Sequence, residues 1–340
     1  MKYNLPKKGL LLRSGLSLLG VFFFFNCLAS GAFASSTPDL AIAPVYSQHQ
    51  REENGIFDLK VSPASQETIT LKVANLSKTE QTVRIIPTTA YTSDAGTLAL
   101  DRSAVPTEPS LKVPFYELVA KADREKTITV PANTIEKVPF TINIPKQPFK
   151  GVIVGGLHVT PMNDQNPLNR KGVSLKNKYA YSMAVVLKED DSTAKAHLKL
   201  GKIKPKKVGT DIKVNSQVVN DQPAVISNLE ISSKITNKSK TKILGKTEAK
   251  GLSMAPNSNF AFQNNWSPNR ILPGRYHLTL VAKSTSGQKW HLEKDFQVSL
   301  VDAVVINDHY NPWIKYIVAA VVILIVLAIW YWIRKKKAEK

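Results

Sequence analysis

Cysteine is all but missing from this 340-residue chain: Cys27 is the only one, inside an apolar run near the N-terminus. That excludes a disulfide framework and a thiol nucleophile from everything downstream. The six histidines (His49, His158, His197, His277, His291 and His309) include no pair at HxH or HxxxH spacing, and no cysteine can help them hold zinc. His277 and His291 are placed to face each other across a hairpin, as a surface pair rather than a metal site. There is no GxSxG elbow and no Walker loop. Paired carboxylates for glycoside cleavage are the enzymatic option left. The acidic clusters Glu52-Glu53 and Glu189-Asp190-Asp191 stand in loop-like surroundings and read as solvated turns. Helical periodicity is scarce, and no tandem repeat has a fixed period.

Two long apolar runs are present. Ile317 to Ile333 is uncharged, and Arg334 with Lys335 to Lys337 follows it directly. Extended back to Ile314, it gives about 30 Å of helix at ~1.5 Å per residue, the thickness of a bilayer core. Trp313 and Tyr316 at one end, and Trp330 and Trp332 at the other, suit interfacial belts, and Arg334 opens a basic tail that belongs in the cytoplasm. A single transmembrane helix is therefore expected over 313–333, with the N-terminal ectodomain facing the wall and exterior. A sortase substrate shares this kind of tail but needs an LPxTG-like site just upstream. Leu272-Pro273-Gly274-Arg275 lacks that pattern and lies too early, so the helix should be retained. At the other end, Lys2, Lys7, Lys8 and Arg13 precede an apolar run from Leu16 to Leu28. Ala32-Phe33-Ala34 then fits signal cleavage after Ala34. An uncleaved signal anchor and a lipoprotein site at Cys27 are the alternatives, the latter weakened by Asn26 before it.

The chain carries 46 Lys and Arg against 26 Asp and Glu, a net charge of +20. Four basic residues fall in the signal and six at or beyond Lys315, leaving 36; only Glu339 of the acids lies outside, leaving 25, so the ectodomain is +11. On an exported protein this points to anionic wall polymers, lipid headgroups or host glycans rather than nucleic acid. Plain solubility is the competing explanation.

Between the apolar runs, period-two alternation dominates. Ile69, Leu71 and Val73 alternate with polar residues, as do Val138, Phe140, Ile142 and Ile144. So do Tyr179 to Leu187, Leu229 to Ile235, Tyr276 to Leu280, and Phe296, Val298 and Leu300. Strands with one buried face, separated by polar turns, predict antiparallel sandwiches. The expected organisation is a signal at 1–34, one sandwich at 35–162, a linker at 163–172 and a second sandwich at 173–306. A linker at 307–312, the helix at 313–333 and the tail at 334–340 complete it. Asn75-Leu76-Ser77 and Asn237-Lys238-Ser239 match the glycosylation sequon but read as turns.

For binding, five lysines stand within Lys199 to Lys207. If the segment is extended, Lys202, Lys204 and Lys206 share one face, a stripe suited to an anionic polymer; a lysine-protected strand edge is the bland alternative. Trp266, in an Asn/Ser/Pro loop, is the candidate for sugar stacking, whereas Trp290 reads as core.

Several segments resemble one family. Gly55 to Ser77 and the glycine-rich strand Gly151 to Val159 are similar to the first domain of the WxL-interacting proteins of Gram-positive bacteria. Tyr179 to Leu187, the MAPNS turn within Met254 to Phe262, and Leu272 to Val298 with its PGxY motif resemble the second. The resemblance implies two immunoglobulin-like sandwiches, peptidoglycan binding by the first and host or matrix binding by the second. It also implies a WxL-domain surface protein as partner, no cofactor and no catalytic residue. A wall-polysaccharide-cleaving enzyme and a stand-alone host adhesin are the rival readings.

Overall fold

Alternating burial along the strands builds two β-sandwiches. The computed structural model describes residues 39–104, 108–162, 179–191, 194–307, 316–317, 319–327 and 330. In the first sandwich, β1 (Leu40–Val45), β3 (Gln66–Asn75) and β8 (Ile135–Asn143) form one sheet. The facing sheet has the order β2-β10-β9-β4-β7, from β2 (Phe57–Lys60), β4 (Gln81–Thr89), β7 (Lys126–Val130), β9 (Ile153–Pro161) and β10 (Tyr181–Lys188). Ile69, Leu71 and Val73 meet Val138, Phe140 and Ile142 in its core, all inward as the alternation required. A hairpin of β5 (Tyr91–Thr92) and β6 (Leu98–Ala99) projects from this sandwich, and the short helix α1 (Phe115–Leu118) covers β9.

Two features depart from the sequence expectation. β10 lies in the segment expected to open the second sandwich, yet it pairs with β9 and β2 and completes the first. Met183, Val185 and Leu187 do alternate into a core, but alternation identifies a buried face and not the sheet that receives it. The expected linker at 163–172 lies outside the described residues. The β2–β10 pair is also parallel, with Phe57 beside Val185 and Lys60 beside Lys188. The chain leaves β1 in one sheet and crosses to the other, so β2 arrives running with β10.

The second sandwich packs β11 (Leu198–Val208), β12 (Asp211–Asn220) and β15 (Ser258–Asn265) against a sheet ordered β14-β13-β16-β17. Those four are β13 (Ile226–Asn237), β14 (Ile243–Met254), β16 (Gly274–Lys283) and β17 (Lys289–Val298). Leu229, Ile231, Leu278 and Leu280 are buried between the sheets. Leu300 breaks the expected alternation with Phe296 and Val298: β17 ends, and helix α2 (Leu300–Asn307) begins. Ser299 Oγ accepts the Asp302 N–H at 3.0 Å, while Asp302 Oδ2 takes the Ser299 hydroxyl at 2.7 Å, a reciprocal cap that starts the helix.

Beyond α2, Tyr316, Ile317, residues 319–327 and Trp330 are helical, with exposed side chains. Among the described residues, no helix is long and apolar enough to cross a membrane. The rest of the expected 313–333 span, including Trp313 and Trp332, lies outside the described residues. So do Arg334 with its basic tail, and the signal segment with Ala34.

Candidate binding cleft

The sandwiches meet where the β5–β6 hairpin reaches the turn between β14 and β15, the MAPNS sequence Met254 to Ser258. Thr92 Oγ1 accepts the Ala255 N–H at 3.0 Å and shares a hydrogen bond of 2.6 Å with Ser258 Oγ. Ser253 N–H donates to the Gly96 carbonyl at 2.8 Å, and Leu98 N–H to Ser253 Oγ at 2.9 Å. Asn259 Nδ2 donates to Glu108 Oε2 at 2.9 Å, and Val152 N–H to the Pro223 carbonyl at 2.9 Å. Met254 and Ala255 are fully buried here. Gly151 has φ +76°, and a Cβ there would overlap the Pro223 carbonyl oxygen, so only glycine permits this approach.

Beside the contact lies a cleft of about 470 Å³ with walls from both sandwiches. β11 supplies Lys202 and Lys204, exposed on either side of buried Ile203, so the stripe faces outward as its alternation predicted. Lys206 is exposed on the same face but is not part of the cleft wall. A bulge between Leu200 and Ile203 sets the aim of Lys202, and Gln217 Oε1 accepts the Lys202 N–H at 3.2 Å within it. β11 is the edge of its sheet, and Lys294 of β17 donates to the free carbonyls of Leu200 and Gly201 at 3.1 and 2.7 Å. The edge is thus protected by a lysine, though by one from the opposite sheet.

The other wall carries Tyr91, Asp94 and Arg102. The Arg102 guanidinium lies 4.9 Å from the centroid of the Tyr91 ring, in cation–π contact. Tyr91 Oη donates to Asp101 Oδ1 at 2.6 Å; burial, helped by that carboxylate, pushes the phenol up to about 12. Tyr91 therefore stays a neutral donor and holds its place under Arg102. On the floor, the Oδ1 of Asn215 is buried without a hydrogen-bond partner.

The other sequence candidates fare differently. Trp266 is 8 % exposed, packs edge-on to Tyr276 with centroids 5.2 Å apart, and donates Nε1–H to the Arg270 carbonyl at 3.0 Å. Its ring belongs to the core and reaches the surface only where it helps line an open cleft of about 420 Å³ with Lys213 and Asn265, so it is not the exposed stacking platform expected. Its polar neighbours Asn264, Asn265 and Ser267 disguise a residue whose own side chain points inward. Trp290 is half-buried against the core. His277 and His291 do not face each other: His277 stands opposite Asp295, and His291 opposite Val281. Glu293 lies 3.3 Å from His277 Nε2 and 3.2 Å from His291 Nε2, and its contacts with His291 and Lys240 hold its carboxyl below the usual range. Among the described residues, no group of three or more His, Asp or Glu is arranged to hold a metal. In the acidic clusters, Asp191 pairs with Arg51 at 2.9 Å, and Glu189 accepts the Phe149 N–H at 3.1 Å. Asn75 is buried with its Nδ2 donating to the carbonyls of Thr79, Val130 and Pro131, which makes its sequon a turn.

The model of the WxL Interacting Protein peptidoglycan binding domain matches residues 41–161, and that of the host binding domain matches residues 170–308. The chain belongs to the WxL-interacting protein family. The host binding match begins ahead of β10, so the sequence unit and the folded unit in this member of the family are offset by one strand. No curated protein matches the chain. Similar solved structures include the E. coli chaperone DraB, at 13% identity and TM-score 0.28, covering 77% of this chain and 98% of that one. The class 5 fimbriae chaperone CfaA is 12% identical with TM-score 0.30, covering 77% and 100%. The Pseudomonas aeruginosa CupB2 chaperone is 17% identical with TM-score 0.27, covering 71% and 97%. Likenesses at these scores carry no functional argument.

Proposed function

We propose that the chain is a non-enzymatic cell-surface binding protein that holds peptidoglycan through its first sandwich and a host or matrix component through its second. The carrying observation is the ordered match of two binding-domain families along the two sandwiches. A WxL-domain surface protein is the proposed partner. The membrane is the proposed anchor, through residues 313–333, with the ectodomain outside and the tail in the cytoplasm. Two features support that placement. The described helical residues from Tyr316 to Leu327 are apolar and exposed, and α2, a few residues earlier, exposes Leu300, Val301, Val304 and Val305. Such side chains are suited to a lipid interface.

Detergent-solubilised full-length protein mixed with insoluble peptidoglycan, and separately with the cognate WxL protein, tests the binding. Co-sedimentation with the first and capture by the second are expected; retention by neither overturns the reading. For the anchor, the protein should stay with membranes after wall digestion. Release by muramidase alone would show that it is held by the wall instead.

A further inference from the structure

We infer that the cleft between the sandwiches binds an anionic polymer, a site that requires both sandwiches and is separate from the binding assigned to either one. Three cations, Arg102, Lys202 and Lys204, line it against one carboxylate, Asp94, while Asp101, 3.9 Å from the Arg102 Nε, partly offsets the arginine. They come from elements about a hundred residues apart in the chain, brought together by the hydrogen bonds between hairpin and turn. Arg102 is positioned by the Tyr91 ring, and Lys202 by the bulge and Gln217, so two of the three cations have a built support.

Charge alone would accept any anion. The openness of the cleft narrows the choice to an extended ligand. A ligand that satisfies this wall presents closely spaced anions to the lysines and arginine. An open cleft of this volume suits one or two repeating units of a longer polymer. Phosphodiester-linked polyols and uronic-acid glycans share that chemistry.

The test uses full-length protein with poly(glycerol phosphate), polygalacturonate and uncharged dextran as probes, read by calorimetry, alongside peptidoglycan sedimentation. Binding to at least one anionic probe and none to dextran is expected, and which probe binds identifies the source. Lys202→Ala/Lys204→Ala should weaken that binding at least tenfold, consistent with the loss of charge-assisted contacts. Lys238→Ala/Lys242→Ala, in the β13–β14 turn, removes equal charge and should leave it within about twofold. Equal weakening by both lysine pairs, or no binding to either anionic probe, overturns the inference. Peptidoglycan sedimentation unchanged in the cleft variant separates failure here from failure of the domain-level function.

Discussion

Thr92 Oγ1 and Ser258 Oγ, 166 positions apart, lie 2.6 Å from each other in the buried contact between the sandwiches. The same Thr92 oxygen accepts the Ala255 N–H, so one hydroxyl satisfies two groups of the opposite sandwich. Ser258 in turn donates to the Ala255 carbonyl at 2.8 Å. The MAPNS turn is thereby a docking element as well as a turn.

Thr92→Val keeps the shape and removes that oxygen. It leaves the Ala255 N–H buried without an acceptor, a loss of about 1–3 kcal/mol. Thermal unfolding should show Tm lowered by several degrees, and limited proteolysis should cut faster between β10 and β11. An unchanged Tm would mean that the contact contributes nothing to holding the sandwiches together.

Gly155 and Phe115 form a second such pair. A Cβ at Gly155 would fall within the Phe115 ring, which lies fully buried on β9. Gly155→Ala should cost about 1–3 kcal/mol through overpacking. Combined with Phe115→Leu, it should cost less than the two single changes added, because the smaller side chain vacates the space. Urea midpoints of the four proteins measure this; strict additivity would show that the ring and the glycine are not coupled.

The strands were legible because alternation states which face is buried, and Ile69 to Val73 and Tyr276 to Leu280 are buried on the side it specifies. Which sheet receives a strand is decided by long-range pairing, so β10 carried no sign that it belonged with β9. The end of β17 did carry a sign: Ser299 with Asp302 three residues on is a helix-start pattern overlaid on an apolar alternation. Lys202 and Lys204 were legible as an outward stripe. The cleft they face was not, because its other wall, with Arg102, is set by the hairpin contact. Trp266 misled because polar neighbours in sequence say nothing about the direction of one ring.

That ring yields a prediction of its own. Trp266, Tyr276 and Phe296 pack in series, the first pair edge-on and the second tilted, with centroids 5.2 and 5.6 Å apart, and the Tyr276 hydroxyl donates to the Leu272 carbonyl at 2.7 Å. This ties the PGxY turn to the core much as a tyrosine corner does. Trp266→Ala should cost about 3–5 kcal/mol, and Tyr276→Phe about 1 kcal/mol. Denaturant unfolding checks both. Wild-type stability in Trp266→Ala, together with lost glycan binding, would restore the stacking role.

Acid should reveal a further tie. Asp221, just after β12, is partly desolvated, which opposes its ionisation. Hydrogen bonds from Gln222, His197 and Lys199 outweigh that and draw its carboxyl down to about 2. His197 Nδ1 lies 2.9 Å from Oδ1, and Lys199 Nζ 3.1 Å from Oδ2. Because the folded value is depressed below the ordinary 3.8, folding favours the ionised form. The stabilisation is therefore fully present above about pH 4 and is lost as pH falls toward about 2. Asp221→Asn should lower Tm at pH 5 to 6 by a few degrees, and the difference from wild type should shrink steadily between pH 4 and pH 2. A difference that stayed constant across that interval would mean that the aspartate acts through its shape and not its charge.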